Sequence, residues 1–131
     1  MFRNFNLAVL ALFSTVSAKK CYDLIGTFDL EEVSLDAELN ICWPKSSLNG
    51  ELGTGKGVYD NGSANGQALT ITHAWIADDT VLTLWLKMKN GRTTNLCSIM
   101  CVLDDEAHCS GYYSCQPDGF GEVNFQFYKA A

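Results

Sequence analysis

Between Thr80 and Leu103 apolar and polar positions alternate on both sides of one turn signal. Thr80-Val81-Leu82-Thr83-Leu84-Trp85-Leu86-Lys87-Met88-Lys89 is rich in strand formers, and Asn90-Gly91 follows. Asn-Gly suits a two-residue type I′ turn because both residues tolerate positive φ. Arg92 to Leu103 reads as the return strand, and folding about Asn90-Gly91 pairs Leu84 with Cys97, Leu82 with Ile99 and Thr80 with Cys101. One face then carries Leu82, Leu84, Leu86, Met88, Cys97, Ile99, Cys101 and Leu103, and is assigned to the core. The other mixes Thr83, Lys87, Lys89, Thr94 and Ser98 with Val81, Trp85, Leu96, Met100 and Val102, so it is partly covered or offers a binding surface.

The same period of two extends to other segments. Cys21 to Leu30 predicts a strand with a bulge or bend at Gly26. In Ser34 to Trp43 the residues Leu35, Ala37, Leu39, Ile41 and Trp43 share a face; a helix over residues 31–39 is the rival, and the spacing favours the strand. Pro44 ends it. Gln67 to Ile76 predicts a strand with Leu69, Ile71, His73 and Trp75 on one face, which makes His73 a core histidine. Gly121 to Lys129 closes the chain with Val123, Phe125 and Phe127 inward. Residues 46–66, punctuated by Gly50, Gly53, Gly55, Gly57, Gly62 and Gly66, read as loop with one short paired piece around Val58-Tyr59. About six strands with few helical signals predict a mostly β fold, a small antiparallel β-sandwich or barrel.

The N-terminus changes the picture. Arg3, the apolar run Leu7 to Phe13 and the small residues ending Val16-Ser17-Ala18 have the order of a secretory signal peptide. The run is shorter than the ~20 residues that span a bilayer. Cleavage after Ala18 is therefore expected, leaving residues 19–131 as one disulfide-rich β domain, extracellular and with no membrane span. Cys21, Cys42, Cys97, Cys101, Cys109 and Cys115 all follow that site, and an even count in a short exported chain points to disulfides rather than metal. Cys97 and Cys101 are four apart on one extended strand, roughly 13 Å at ~3.3 Å per residue. A disulfide needs Cα atoms within about 7 Å, so these two should take other partners. Cys109 and Cys115 flank Ser110 to Ser114 and are expected to close a small loop.

Charge excludes one class of partner. Losing Arg3 leaves eight Lys and Arg against fifteen Asp and Glu, a net charge of about −7, with Arg92 the one remaining arginine. A groove that follows phosphates needs clustered cations, so nucleic acid is not an expected partner.

Candidate chemistry is sparse, and no cofactor or metal is called for. Asn61-Gly62-Ser63 is an N-glycosylation sequon. Gly53-Thr54-Gly55-Lys56-Gly57 lacks the spacing of a phosphate-binding loop and reads as a flexible surface loop. Asp104-Asp105-Glu106 with His108 offers oxygens that would suit Ca²⁺ but lacks an EF-hand pattern, and a solvated turn is the simpler reading; Asp78-Asp79 reads the same way. His73, Glu38 or Glu122, and Arg92 are the set a ribonuclease would need. No nucleophile elbow or zinc-protease motif is present, and the reading leans away from catalysis. Tyr112, Tyr113 and Phe120, in a cysteine-held segment, form the candidate binding surface, since aromatic rings are favoured anchors.

The leader through Ala18, the six cysteines, the strand-rich pattern, and Tyr113-Ser114-Cys115 followed by the strand Val123 to Phe127 resemble small secreted cysteine-rich proteins of fungi. That class includes plant-colonisation effectors and allergen-like β-barrels. The resemblance implies a non-catalytic extracellular role, binding or disturbing a host protein or wall component, with an extracellular protein or polysaccharide as the partner. The alternatives are a small secreted enzyme, ribonuclease-like or carbohydrate-active, and a toxin or inhibitor of an extracellular enzyme.

Overall fold

The computed structural model describes residues 20–30, 32–44, 52–60, 66–117 and 119–129. The leader and the Asn61 sequon lie outside them. Within them the chain forms eight strands: β1 (Lys20–Asp29), β2 (Ser34–Trp43), β3 (Gly53–Tyr59), β4 (Gln67–Ala77), β5 (Val81–Asn90), β6 (Thr93–Leu103), β7 (His108–Gln116) and β8 (Phe120–Lys129). Each pairs antiparallel with the next, and β1 pairs with β8 to close the barrel. Closure leaves no strand edge exposed for pairing with another chain.

The alternation sorts side chains as the period of two requires. Leu24 and Phe28 of β1, Leu39, Ile41 and Trp43 of β2, and Leu82 and Leu84 of β5 are fully buried inside. An eight-stranded barrel has an interior just wide enough for side chains to fill. Phe28 stands at its aromatic centre, edge-on to Tyr113 at 5.2 Å, Phe125 at 5.7 Å and Tyr59 at 6.2 Å between centroids.

Glycine marks close approaches between neighbouring strands of the wall. Gly26 pairs without a bulge to Ala37 and Phe125, yet a Cβ there would overlap the Asn124 carbonyl oxygen. The expected bulge is replaced by a close approach of two backbones. The glycine-rich segment is corrected for the same reason. Gly53, Gly55 and Gly57 take the inward positions of β3, a strand paired on both sides, and a Cβ at Gly55 would overlap the Asn40 carbonyl oxygen. Here glycine serves strand contact rather than loop mobility.

The β5–β6 hairpin exists, with its turn moved by one residue. Gly91, at φ +66°, and Arg92 are the central pair, and Asn90 faces Thr93. Leu84 therefore meets Ile99, and Leu86 meets Cys97. A slip of two in partner keeps every side chain on its expected face. Asp78 and Asp79, both at positive φ, make the β4–β5 turn.

Three disulfides staple the wall. Cys21–Cys42 and Cys97–Cys115 join register partners, with Cα atoms 4.0 Å apart in each. Cys101–Cys109 joins diagonal neighbours at 5.2 Å. Cys97 and Cys101 do take other partners, but Cys109 and Cys115 do not pair with each other. Both lie on β7, and six extended residues separate them by about 20 Å.

Candidate functional site

The most informative irregularity lies in β4. Its register against β5 shifts between Ile71 and His73, an extra residue inserted as a β-bulge. Leu69 and Ile71 point inward as expected, but beyond the bulge the inward positions are Ala74 and Ile76, both buried. His73 and Trp75 turn to the outer surface, so His73 is not a core histidine. A bulge flips the alternation of everything after it on the strand.

The bulge assembles an aromatic cluster around Trp85. His73 is the register partner of Trp85, with ring centroids 5.2 Å apart at 63°. Trp75 meets Trp85 at 5.6 Å and 78°. The Thr72 hydroxyl donates to the Trp85 carbonyl oxygen at 3.1 Å. Edge-to-face packing on two sides holds the Trp85 ring, while half of the residue, 51 %, stays exposed.

From Trp85 the outer face runs unbroken across four strands. Its register partners in turn are Ser98, Ser114 and Phe120. The adjacent row is Thr83, Met100, Tyr112 and Glu122. Trp85, Met100, Val102, Tyr112 and Phe120 are large, apolar and exposed together. Tyr112 and Phe120 stack nearly parallel, 5.7 Å apart at 11°. Beside Trp85 lies a groove of about 320 Å³, bordered by Thr72, Lys87, Ser98, Ser114 and Gln116.

Of the expected binding surface, Tyr112 and Phe120 are therefore exposed neighbours. Tyr113 is 6 % exposed and packs on Phe28 inside the barrel, so it does not share their surface. Burial raises the phenol pKa of Tyr113, and of Tyr59, whose hydroxyl donates to the Lys89 carbonyl oxygen. The period of two already separates adjacent residues such as Tyr112 and Tyr113 onto opposite faces. Trp85, Met100 and Val102, on the mixed face of the hairpin, share the exposed patch with Tyr112 and Phe120.

The remaining candidates disperse or turn structural. Glu38 lies on β2, His73 on β4, Glu122 on β8 and Arg92 in the β5–β6 turn, so the closed wall does not gather them. A larger depression of about 620 Å³ over β1 to β4 holds Asp23, Glu38 and Lys56, with the Asn40 amide donating to Asp23 at 2.7 Å, and lacks an aromatic ring. Asp104, Glu106 and His108 bring ligand atoms within 4.8 Å of one another. Asp104 is already engaged, accepting the backbone N–H groups of Glu106 at 2.8 Å and His108 at 2.9 Å. Those bonds, the one from His108 first, hold its carboxyl below the usual range. The cluster is an exposed turn organised by its own first residue.

Among the described residues no helix is long and apolar enough to cross a membrane. Comparison with protein-family models, curated protein sequences and solved structures found no match to this chain.

Proposed function

We propose that this chain is a secreted, non-catalytic interaction protein that works by surface recognition through the outer face of β4 to β8. One observation carries the reading: Trp85, Met100, Val102, Tyr112 and Phe120 stand exposed together on the outside of a closed barrel whose hydrophobic core lies inside. Leaving several large apolar side chains in water forgoes ~25 cal/mol for each Å² a fold would otherwise bury. Contiguous patches of this kind mark interaction sites. The wall beneath is hydrogen-bonded on both sides of every strand, so the rings sit on a rigid support. Three disulfides are compatible with an extracellular setting.

The test is retention of extracellular material on immobilised protein with two altered faces. Trp85→Ser with Met100→Ser removes the proposed face, and Ile25→Ser with Val58→Ser alters the outer face of β1 to β3. Retention lost in the first variant and kept in the second supports the reading. Retention that is absent throughout, or equal in both variants, overturns it.

A further inference from the structure

We propose that the ligand of this face is a neutral polysaccharide, laid across β5 to β8 with one sugar ring on Trp85 and another on Phe120. The inference rests on the recognition reading above and names its partner.

The strand register sets the argument. Trp85, Ser98, Ser114 and Phe120 are successive register partners, so they form one continuous row across four strands of the curved wall. At ~4.8 Å between strands the row is about 14 Å long. Its ends are exposed aromatic rings and its middle is two exposed serines. A pyranose presents C–H groups on its faces and hydroxyls around its rim. An aromatic ring takes the face, and short hydroxyl side chains take the rim.

The groove beside Trp85 matches that chemistry. Thr72, Ser98, Ser114 and Gln116 border it, and each offers both a donor and an acceptor, as sugar hydroxyls require. No carboxylate borders it, in a chain with a net charge of −6. Lys87 is the one charged residue there, too little for a polyanion and the wrong sign for a cation. A neutral ligand is what that charge pattern leaves.

Along the row the serines hold the centre and the aromatic rings the ends, an order that suits successive sugar units, with Met100 and Tyr112 in the adjacent row. Trp85 is also fixed before binding, wedged by His73 and Trp75, which lowers the ordering cost of taking a ligand.

The experiment is co-sedimentation of the full chain with insoluble cellulose, chitin and β-1,3-glucan, with polygalacturonate as the anionic comparator. Retention on at least one neutral polymer is expected, unchanged at ~1 M salt, where charge interactions are screened beyond about 3 Å. Trp85→Ala and Phe120→Ala should each weaken it at least tenfold. Ser114→Ala alters only a surface hydroxyl, so its expected several-fold weakening does not depend on refolding. Ile25→Ala should leave retention unchanged. If none of the neutral polymers retains the protein while an extracellular protein is captured through Trp85, this inference falls and the recognition reading stands. If neither is captured, both fall. Binding to polygalacturonate alone, abolished by salt, also overturns the inference.

Discussion

His73 faces Trp85 across β4 and β5, ring centroids 5.2 Å apart, because one extra residue in β4 turns both His73 and Trp75 away from the core. Without that residue's shift, strict alternation would bury His73 and Trp75 and expose Ala74 and Ile76. The bulge therefore decides which aromatic rings the surface receives.

Deleting Thr72 should be tolerated. Ile71 pairs with Leu86 and His73 with Trp85, so removing the residue between them restores a regular ladder and leaves later residues on their faces. The loss is the hydrogen bond from the Thr72 hydroxyl, about 1 kcal/mol, read by denaturant unfolding. Deleting Ala74 straightens the ladder too but sets His73 in the inward place opposite Leu84, so it should cost more than deleting Thr72 by the penalty of burying a polar ring, roughly 2 kcal/mol or more; equal costs would refute the role assigned to the bulge.

Phe28→Ala removes the ring on which Tyr59, Tyr113 and Phe125 all pack. The expected cost is ~3–5 kcal/mol. Trp85→Ala, at a half-exposed site, should cost far less in the same unfolding measurement.

Gly26→Ala should be unusually harmful for the addition of one methyl group. The new carbon meets backbone at Asn124 and Phe125, which cannot swing aside as a side chain does. A loss of about 3 kcal/mol or more is expected from overpacking. At Gly91 nothing lies within 4 Å, so Gly91→Ala should suffer only its backbone strain, ~1–2 kcal/mol.

Peptide mapping without reduction should recover Cys21–Cys42, Cys97–Cys115 and Cys101–Cys109. Replacing Cys97 and Cys115 together should destabilise the fold by about 3 kcal/mol on the chain-entropy account. Replacing Cys101 and Cys109 should cost less through that entropy, because the sequence separation is 8 rather than 18.

Asp29 links stability to acid. The Ser34 hydroxyl and then the Asn124 amide, each donating at 2.7 Å, hold its carboxyl below the ordinary value of 3.8. A folded pKa lower than the unfolded one adds stability above the unfolded value, and that contribution disappears as pH falls through the folded value. Wild type should therefore exceed Asp29→Asn in stability at neutral pH, with the gap closing below 3.8. Unfolding midpoints of both proteins across the acid range measure it, and a constant gap would refute the assignment.

Much of the wall was legible in the chain because alternation is local. Leu35, Ala37, Leu39, Ile41 and Trp43 announce which side of β2 faces in, and the β5–β6 faces survive a turn moved by one residue because a slip of two preserves parity. The mixed outer face of that hairpin, with Trp85 and Met100 on it, was visible for the same reason. The bulge in β4 was not: Leu69, Ile71, His73 and Trp75 fit an unbroken alternation as well as Ala74 and Ile76 fit a broken one. Only the packing of β4 between β3 and β5 separates the two. Nor was β3, since glycines that admit a neighbouring backbone look, in sequence, like glycines that loosen a loop.

The sequence by itself determined the strand-rich character, the cysteine set and the inward face of most strands, because each follows from side chains two positions apart. Tertiary structure alone decided that the wall closes, that Cys97 takes Cys115 and Cys101 takes Cys109, and that Trp85, Ser98, Ser114 and Phe120 line up. Those outcomes depend on register between strands far apart in the chain, such as Asp29 against Glu122, and register is set by how all eight strands coil around one filled core.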